Sequence, residues 1–119
     1  MMSTTSREEA VRILDIYFKA LMSHDVSKVP LAPDVVFIRP NGEEYHGIEK
    51  VQQFISSLNW TSLKIEGHII DGEQCATLFD YERPGFSIKG FDYFFLEKGM
   101  IKEIRPYLNL FETDISVSA

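Results

Sequence analysis

The stretch Gly90 to Leu110, GFDYFFLEKGMIKEIRPYLNL, constrains this chain more than any other. It reads as two long strands joined by a tight turn at Glu97-Lys98-Gly99. A strand shows alternate residues to opposite faces, so Asp92, Phe94 and Leu96 share one face and Phe91, Tyr93 and Phe95 the other. Both faces are too apolar to be left in water. The sheet therefore needs two covers: its own helices on one side and a second subunit on the other. Asp92 then sits where a carboxylate is costly unless it is paired, hydrogen-bonded or neutral.

Upstream, Ser6-Arg7-Glu8-Glu9 fits a capping box, with Ser at the cap and Glu three residues on. The helix it opens is expected to run to about Ser23. Arg12, Asp15, Lys19 and Ser23 form its wet stripe, and Val11, Leu14, Tyr17, Phe18, Leu21 and Met22 its buried side. Tyr17 thus faces the interior with a hydroxyl that needs a partner. Asp25 can cap a short second helix through Lys28, cut off by Pro30 and Pro33. A strand is expected over Asp34 to Arg39, broken by Pro40-Asn41-Gly42. Gly47 then opens a third helix with Ile48, Val51, Phe54, Ile55 and Leu58 on one face.

From Trp60 the period changes to two. Leu63, Ile65, Gly67 and Ile69 alternate with Ser62, Lys64, Glu66 and His68, which puts His68 on the polar face. Asp71-Gly72 signals a hairpin, and the next strand runs from about Gln74 to Glu82 before the Arg83-Pro84-Gly85 turn. Residues 1 to 5 read as a small polar lead-in and Phe111 to Ala119 as a tail. Three helices threaded around one strand, then four consecutive antiparallel strands, make an α+β domain. A sheet bent around a helix leaves a concave space where small ligands bind.

The chain, at 119 residues, is expected to be a single domain, 1–119, with enough core to stand without disulfides or zinc. Its one cysteine, Cys75, reads as a small strand residue and fits a reducing, cytoplasmic setting. Net charge is −6 with no basic run, which argues against nucleic acid as partner. Met1-Met2-Ser3-Thr4-Thr5 has no apolar segment behind it, and no run is long enough for a bilayer span. A soluble, mildly acidic protein without membrane contact is expected.

Four pieces of the sequence carry a resemblance. They are Tyr17-Phe18-Lys19-Ala20-Leu21-Met22-Ser23-His24-Asp25, Ala32-Pro33-Asp34-Val35-Val36-Phe37, Tyr45-His46-Gly47-Ile48-Glu49-Lys50-Val51, and Gly99-Met100-Ile101-Lys102-Glu103-Ile104-Arg105-Pro106-Tyr107. With them the chain resembles, over nearly its whole length, the SnoaL-like branch of the nuclear transport factor 2 (NTF2)-like superfamily. The resemblance implies a cone-shaped α+β barrel, a curved antiparallel sheet wrapped around N-terminal helices, with a pocket at its wide end. It also implies dimerisation through the outer sheet face. The superfamily includes isomerases, dehydratases, epoxide hydrolases, polyketide cyclases and proteins without catalysis, so the fold does not choose among them.

Ketosteroid isomerase, a relative by fold and a worked example of pKa tuning, uses a Tyr and a protonated Asp as an oxyanion hole plus an Asp base. Tyr17 and Asp92 match the positions of the first two, if the last hairpin turn is one residue shorter here. The position of the base is filled by Arg39, which takes no proton at neutral pH. The final-strand Asp of limonene epoxide hydrolase would fall at Pro106. Scytalone dehydratase relies on pocket histidines, and His24, His46 and His68 show neither convergence nor metal-ligand spacing.

The expected site is therefore Asp92, Tyr17 and Arg39 at the polar end of an apolar pocket, with Phe37, Phe54, Trp60, Phe94 and Leu108 as lining. No metal or cofactor is expected. Glycines at 85, 90 and 99 form no phosphate cradle, and no nucleophile elbow is present. The expected ligand is a small, largely hydrophobic molecule with one polar or anionic end. Either it undergoes cofactor-independent acid–base chemistry of isomerase, cyclase or hydrolase type, or the domain binds or assembles without turnover. A structural Asp92–Arg39 ion pair is the competing reading of the site. On the outer face, Phe91, Tyr93, Phe95, Arg105 and Tyr107 form the expected homodimer surface.

Overall fold

Ser6 caps the first helix as its sequence requires. Its hydroxyl accepts from the Glu9 backbone N–H at 3.1 Å, and α1 runs over Arg7–Ser23. In the computed structural model, which describes residues 5–58, 63–83 and 86–108, α1 is followed by β1 (Leu31–Ile38), β2 (Glu44–His46) and α2 (Ile48–Ser57). Four long strands then follow: β3 (Leu63–Asp71), β4 (Gln74–Arg83), β5 (Phe86–Glu97) and β6 (Met100–Leu108). They form a curved, unclosed sheet in the order β2-β1-β6-β5-β4-β3, antiparallel except where β1 lies parallel to β6. No described helix is long and apolar enough to cross a membrane.

Helix α1 lies across the concave face of this sheet. Tyr17 and Phe18 meet Phe94 of β5 edge-on at ring separations of 5.0 and 5.9 Å, and Phe18 also reaches Phe79 of β4 at 6.3 Å. Met22, placed on the buried side by periodicity, is exposed, because it follows Leu21 around to the edge of the apolar stripe. The helix ends at His24, whose φ of 64° is the left-handed cap and whose N–H returns to the Ala20 carbonyl.

The short helix expected over Asp25–Lys28 does not form. The Asp25 carboxylate instead accepts from the Ser27 backbone N–H (3.1 Å) and hydroxyl (2.7 Å), a local turn that competes with helix, and Pro30 lies too near for a second turn to propagate. Among the described residues the helices are thus α1 and α2.

β1 starts at Leu31 and takes in Pro33. Leu31 pairs with Ile101 and Val36 with Glu103, so five steps along β1 face two along β6. A proline, lacking its N–H, is tolerated in a bulge of this kind. The segment Glu44–His46, for which no strand was expected, adds β2 to the edge of β1.

Thr5 is buried and its hydroxyl accepts from the Gly99 N–H at 3.0 Å, so the lead-in is tied to the last hairpin from its fifth residue. Positive φ at both Lys98 (54°) and Gly99 (79°) gives that hairpin the two-residue turn whose twist suits its strands.

A bulge in β3 also changes a face. The β3–β4 register shifts between Ile65 and Gly67, after which His68 and Ile70 turn inward and Ile69 outward, 60% exposed. His68 therefore leaves the polar face that simple alternation assigned to it. Its Nδ1 lies 2.8 Å from the Thr77 hydroxyl and its Nε2 2.9 Å from an Asp15 carboxylate oxygen, pinning α1 to the sheet.

Candidate functional site

β5 sets the chemistry by its alternation. Asp92, Phe94 and Leu96 are buried (5%, 0% and 0% exposed), while Phe91 is 39% exposed on the other face. Asp92 lies in register between Thr77 of β4 and Pro106 of β6. One row along, Gly90 lies between Phe79 and Leu108. A Cβ there would stand 2.4 Å from the Tyr107 carbonyl oxygen, so only glycine lets β6 come this close, and its missing side chain leaves the face open.

Above this bare patch is a cavity of about 230 Å³. Phe18 and Leu21 of α1, Phe37 of β1, Phe54 of α2, Phe79 of β4 and Leu108 of β6 supply most of its apolar wall. Tyr17 and Asp92 line it from below, and Arg39 stands at its edge just past the end of β1.

Burial governs both floor groups. It pushes the Asp92 carboxyl up to about 7, because burial strips the charged form of its solvation. Burial, then the negative charge of Asp92, raises the Tyr17 hydroxyl well above its usual range, so Tyr17 is a neutral donor at all working pH values. Two neutral O–H groups on one apolar floor can donate to a ligand oxygen. Near neutrality Asp92 also exists in both protonation states, as an acid–base group requires.

Arg39 is not the counter-ion of Asp92. Its guanidinium donates to Glu43 at 2.6 Å, contacts the Tyr45 hydroxyl and lies 5.3 Å over the Phe54 ring, which is itself stacked on Tyr45 at 4.4 Å. Among the described residues no ion pair joins it to Asp92, so the site is an open floor with a cation at the rim.

Phe37, Phe54 and Leu108 stand on the cavity wall, whereas Phe94 sits behind Tyr17 and braces its ring. Trp60 lies outside the described residues. Sequence reasoning passed over Phe79, Leu58, Leu63 and the prolines 40 and 106, which also line the cavity. Alternation in β4 with buried Cys75 and Thr77 was the available signal for Phe79.

The histidines do not converge: His24 is exposed at the helix end, His46 pairs with Glu44 at 2.8 Å, and His68 is held as described. Among the described residues no group of three His, Cys, Asp or Glu side chains could hold a metal ion. Burial raises the Cys75 thiol to about 11, which suits an inert core residue.

An α+β cone with its pocket between α1 and a bent antiparallel sheet is the fold of the NTF2-like superfamily, SnoaL-like proteins included. Solved structures bear this out. An NTF2-like protein of unknown function from Burkholderia xenovorans has a TM-score of 0.75 at 15% identity, covering 85% of this chain and 83% of its own. A protein assigned as a SnoaL-like polyketide cyclase in Jannaschia sp. CCS1 has a TM-score of 0.75 at 16% identity, covering 94% and 93%. A de novo designed protein with a curved β-sheet has a TM-score of 0.79 at 23% identity and covers 95% of each chain. At these identities the likeness is one of fold. Within that fold, the chain belongs to the family described as domain of unknown function DUF4904, whose model matches residues 5–113. No curated protein matches the sequence.

Proposed function

We propose that this domain binds a small, largely hydrophobic molecule in the cone, with an oxygen of the ligand seated on Tyr17 and Asp92. The observation that carries the reading is Asp92, 5% exposed on the floor of an apolar cavity, with no cation paired to it among the described residues. Such a group costs stability, as buried carboxyls do, and cavities with few convergent polar groups are where ligands bind. At about 230 Å³ the space suits a ligand smaller than those of drug-sized sites, roughly 300–1,000 Å³.

The chemistry within reach is cofactor-independent proton transfer. Tyr17 would hold the oxygen while Asp92, near neutrality, releases or takes the proton. A second reading, binding without turnover, is favoured by one observation. Among the described residues the cavity wall carries neither a second carboxylate nor an imidazole to act as a separate base.

Butyrophenone, a small aryl ketone, tests the proposal. Ligand-observed NMR is expected to show binding below about pH 6 that weakens as Asp92 ionises, and pH-independent binding in Asp92→Asn. Binding unaffected by pH in the wild type would remove Asp92 from the site. Exchange of the ketone's α-protons in D₂O, above the Asp92→Asn background, separates the enzyme from the binding module.

For the outer face, the proposed partner is a second copy of the chain. Phe91 and Tyr107 stack at 5.0 Å and are 39% and 46% exposed, and Leu78 and Ile69 extend the same face into β4 and β3. Tyr93 and Phe95 complete the patch, and Arg105 borders it, lining as well a groove shared with Arg39. Light scattering is expected to give the dimer mass at micromolar concentration. A monomer that persists on concentrating would remove the proposal.

A further inference from the structure

A second space lies beside the cavity, with Arg39 on the wall of both. β1 and β6 run side by side only as far as the Phe37–Ile104 pair. Beyond it β1 turns away through Gly42 towards β2, while β6 follows β5 to Leu108. The parting strands leave a groove of about 480 Å³. Arg39, Pro40, Pro106 and Leu108 line both the groove and the inner cavity, which sets the two spaces side by side.

The groove has a guanidinium on each side. Arg39 comes from the end of β1 and Arg105 from β6, in a chain whose net charge is −6. Each already holds a carboxylate: Arg39 that of Glu43, Arg105 that of Glu103. Glu43 is 60% exposed, and an exposed pair of this kind is worth only about 0–1 kcal/mol, so another carboxylate can take its place. The Arg39 guanidinium itself is held over the Phe54 ring, and the residue lines both spaces.

We propose that the ligand is an amphipathic carboxylic acid that spans both spaces. Its apolar body fills the cavity, a carbonyl or hydroxyl oxygen rests on Tyr17 and Asp92, and its carboxylate lies at the junction on Arg39, with Arg105 across the groove. The inference rests on the reading of the cavity as a ligand site, and adds the anionic end and its partner.

Calorimetric titration with three probes tests it: 4-oxo-4-phenylbutanoic acid, its methyl ester, and 4-phenylbutanoic acid, which lacks the ketone. At about pH 6, where Asp92 is mainly protonated, the keto acid is expected to bind about tenfold more tightly than its ester. Arg39→Gln is expected to remove the difference between acid and ester, and Arg105→Gln to reduce it by a smaller factor. Added salt should weaken the acid and spare the ester. The deoxo acid should lose affinity relative to the keto acid through the floor contacts alone.

An ester that binds as tightly as the acid, or an acid unaffected by Arg39→Gln, overturns the inference and leaves the cavity reading standing. If none of the three probes binds, nor butyrophenone, the cavity reading has failed and the inference falls with it.

Discussion

Asp92→Asn is expected to stabilise the protein above pH 8 by up to about 4 kcal/mol and to leave it nearly unchanged near pH 4. Burial raises the folded-state value of this carboxyl from 3.8 to about 7. The native state therefore binds more protons than the unfolded chain between those values, and stability falls as pH rises through that window. Each pH unit of displacement is worth 1.36 kcal/mol, so the full displacement amounts to about 4 kcal/mol, reduced by any water that reaches the carboxylate through the cavity. Asparagine keeps the shape and cannot ionise. Carboxylates whose folded values are lowered, such as Asp34 beside Lys102, act in the opposite direction in acid, but they are common to both proteins and cancel in the comparison. Thermal melts of wild type and variant across pH check this. Parallel curves would mean that Asp92 carries no burial penalty.

Phe94→Ala is expected to cost about 3–5 kcal/mol, against the 5–15 kcal/mol that holds a typical domain together. Phe94 is 0% exposed and meets Tyr17 and Phe18 edge-on, so truncation leaves a void between α1 and the centre of the sheet. Tyr17 loses the ring that sets its orientation, and the floor of the cavity loosens with it. Denaturant titration should show the lower midpoint. A loss under about 1 kcal/mol would mean that α1 does not depend on this contact for its place.

The elements read correctly from sequence are those specified by local rules. Ser6 and Glu9 define a helix start within one turn of chain, and the alternation of Asp92, Phe94 and Leu96 needs only the geometry of one strand. Lys98 and Gly99 mark their hairpin in the same way. The failures within the sheet share a different cause: they depend on partners distant in the chain or on an extra residue in a ladder. The bulge before Gly67 brought His68 to the inner face, and nothing in the alternation of β3 announces it. β1 pairs with β6, 67 to 70 residues further on, so its start at Leu31 and its tolerance of Pro33 follow from a neighbour that local pattern does not reveal.

The candidate site divides along the same line. Tyr17 and Asp92 were legible because each is a polar group on an otherwise apolar face of its own element. Arg39 was legible as a residue, and its partners were not. They come from Glu43, Tyr45 and Phe54, brought around it by the β1–β2 turn and by α2. The groove beside it exists because two strands part after the Phe37–Ile104 pair, a property of the sheet as a whole.

The central claim is that Asp92 is a carboxyl poised near neutrality on the floor of an apolar cavity. Carbon-detected NMR that follows the Asp92 carboxyl carbon through a pH titration, assigned by its loss in Asp92→Asn, tests this directly. The expected midpoint is near 7. A midpoint near 4, the value of a solvated aspartate, would contradict it.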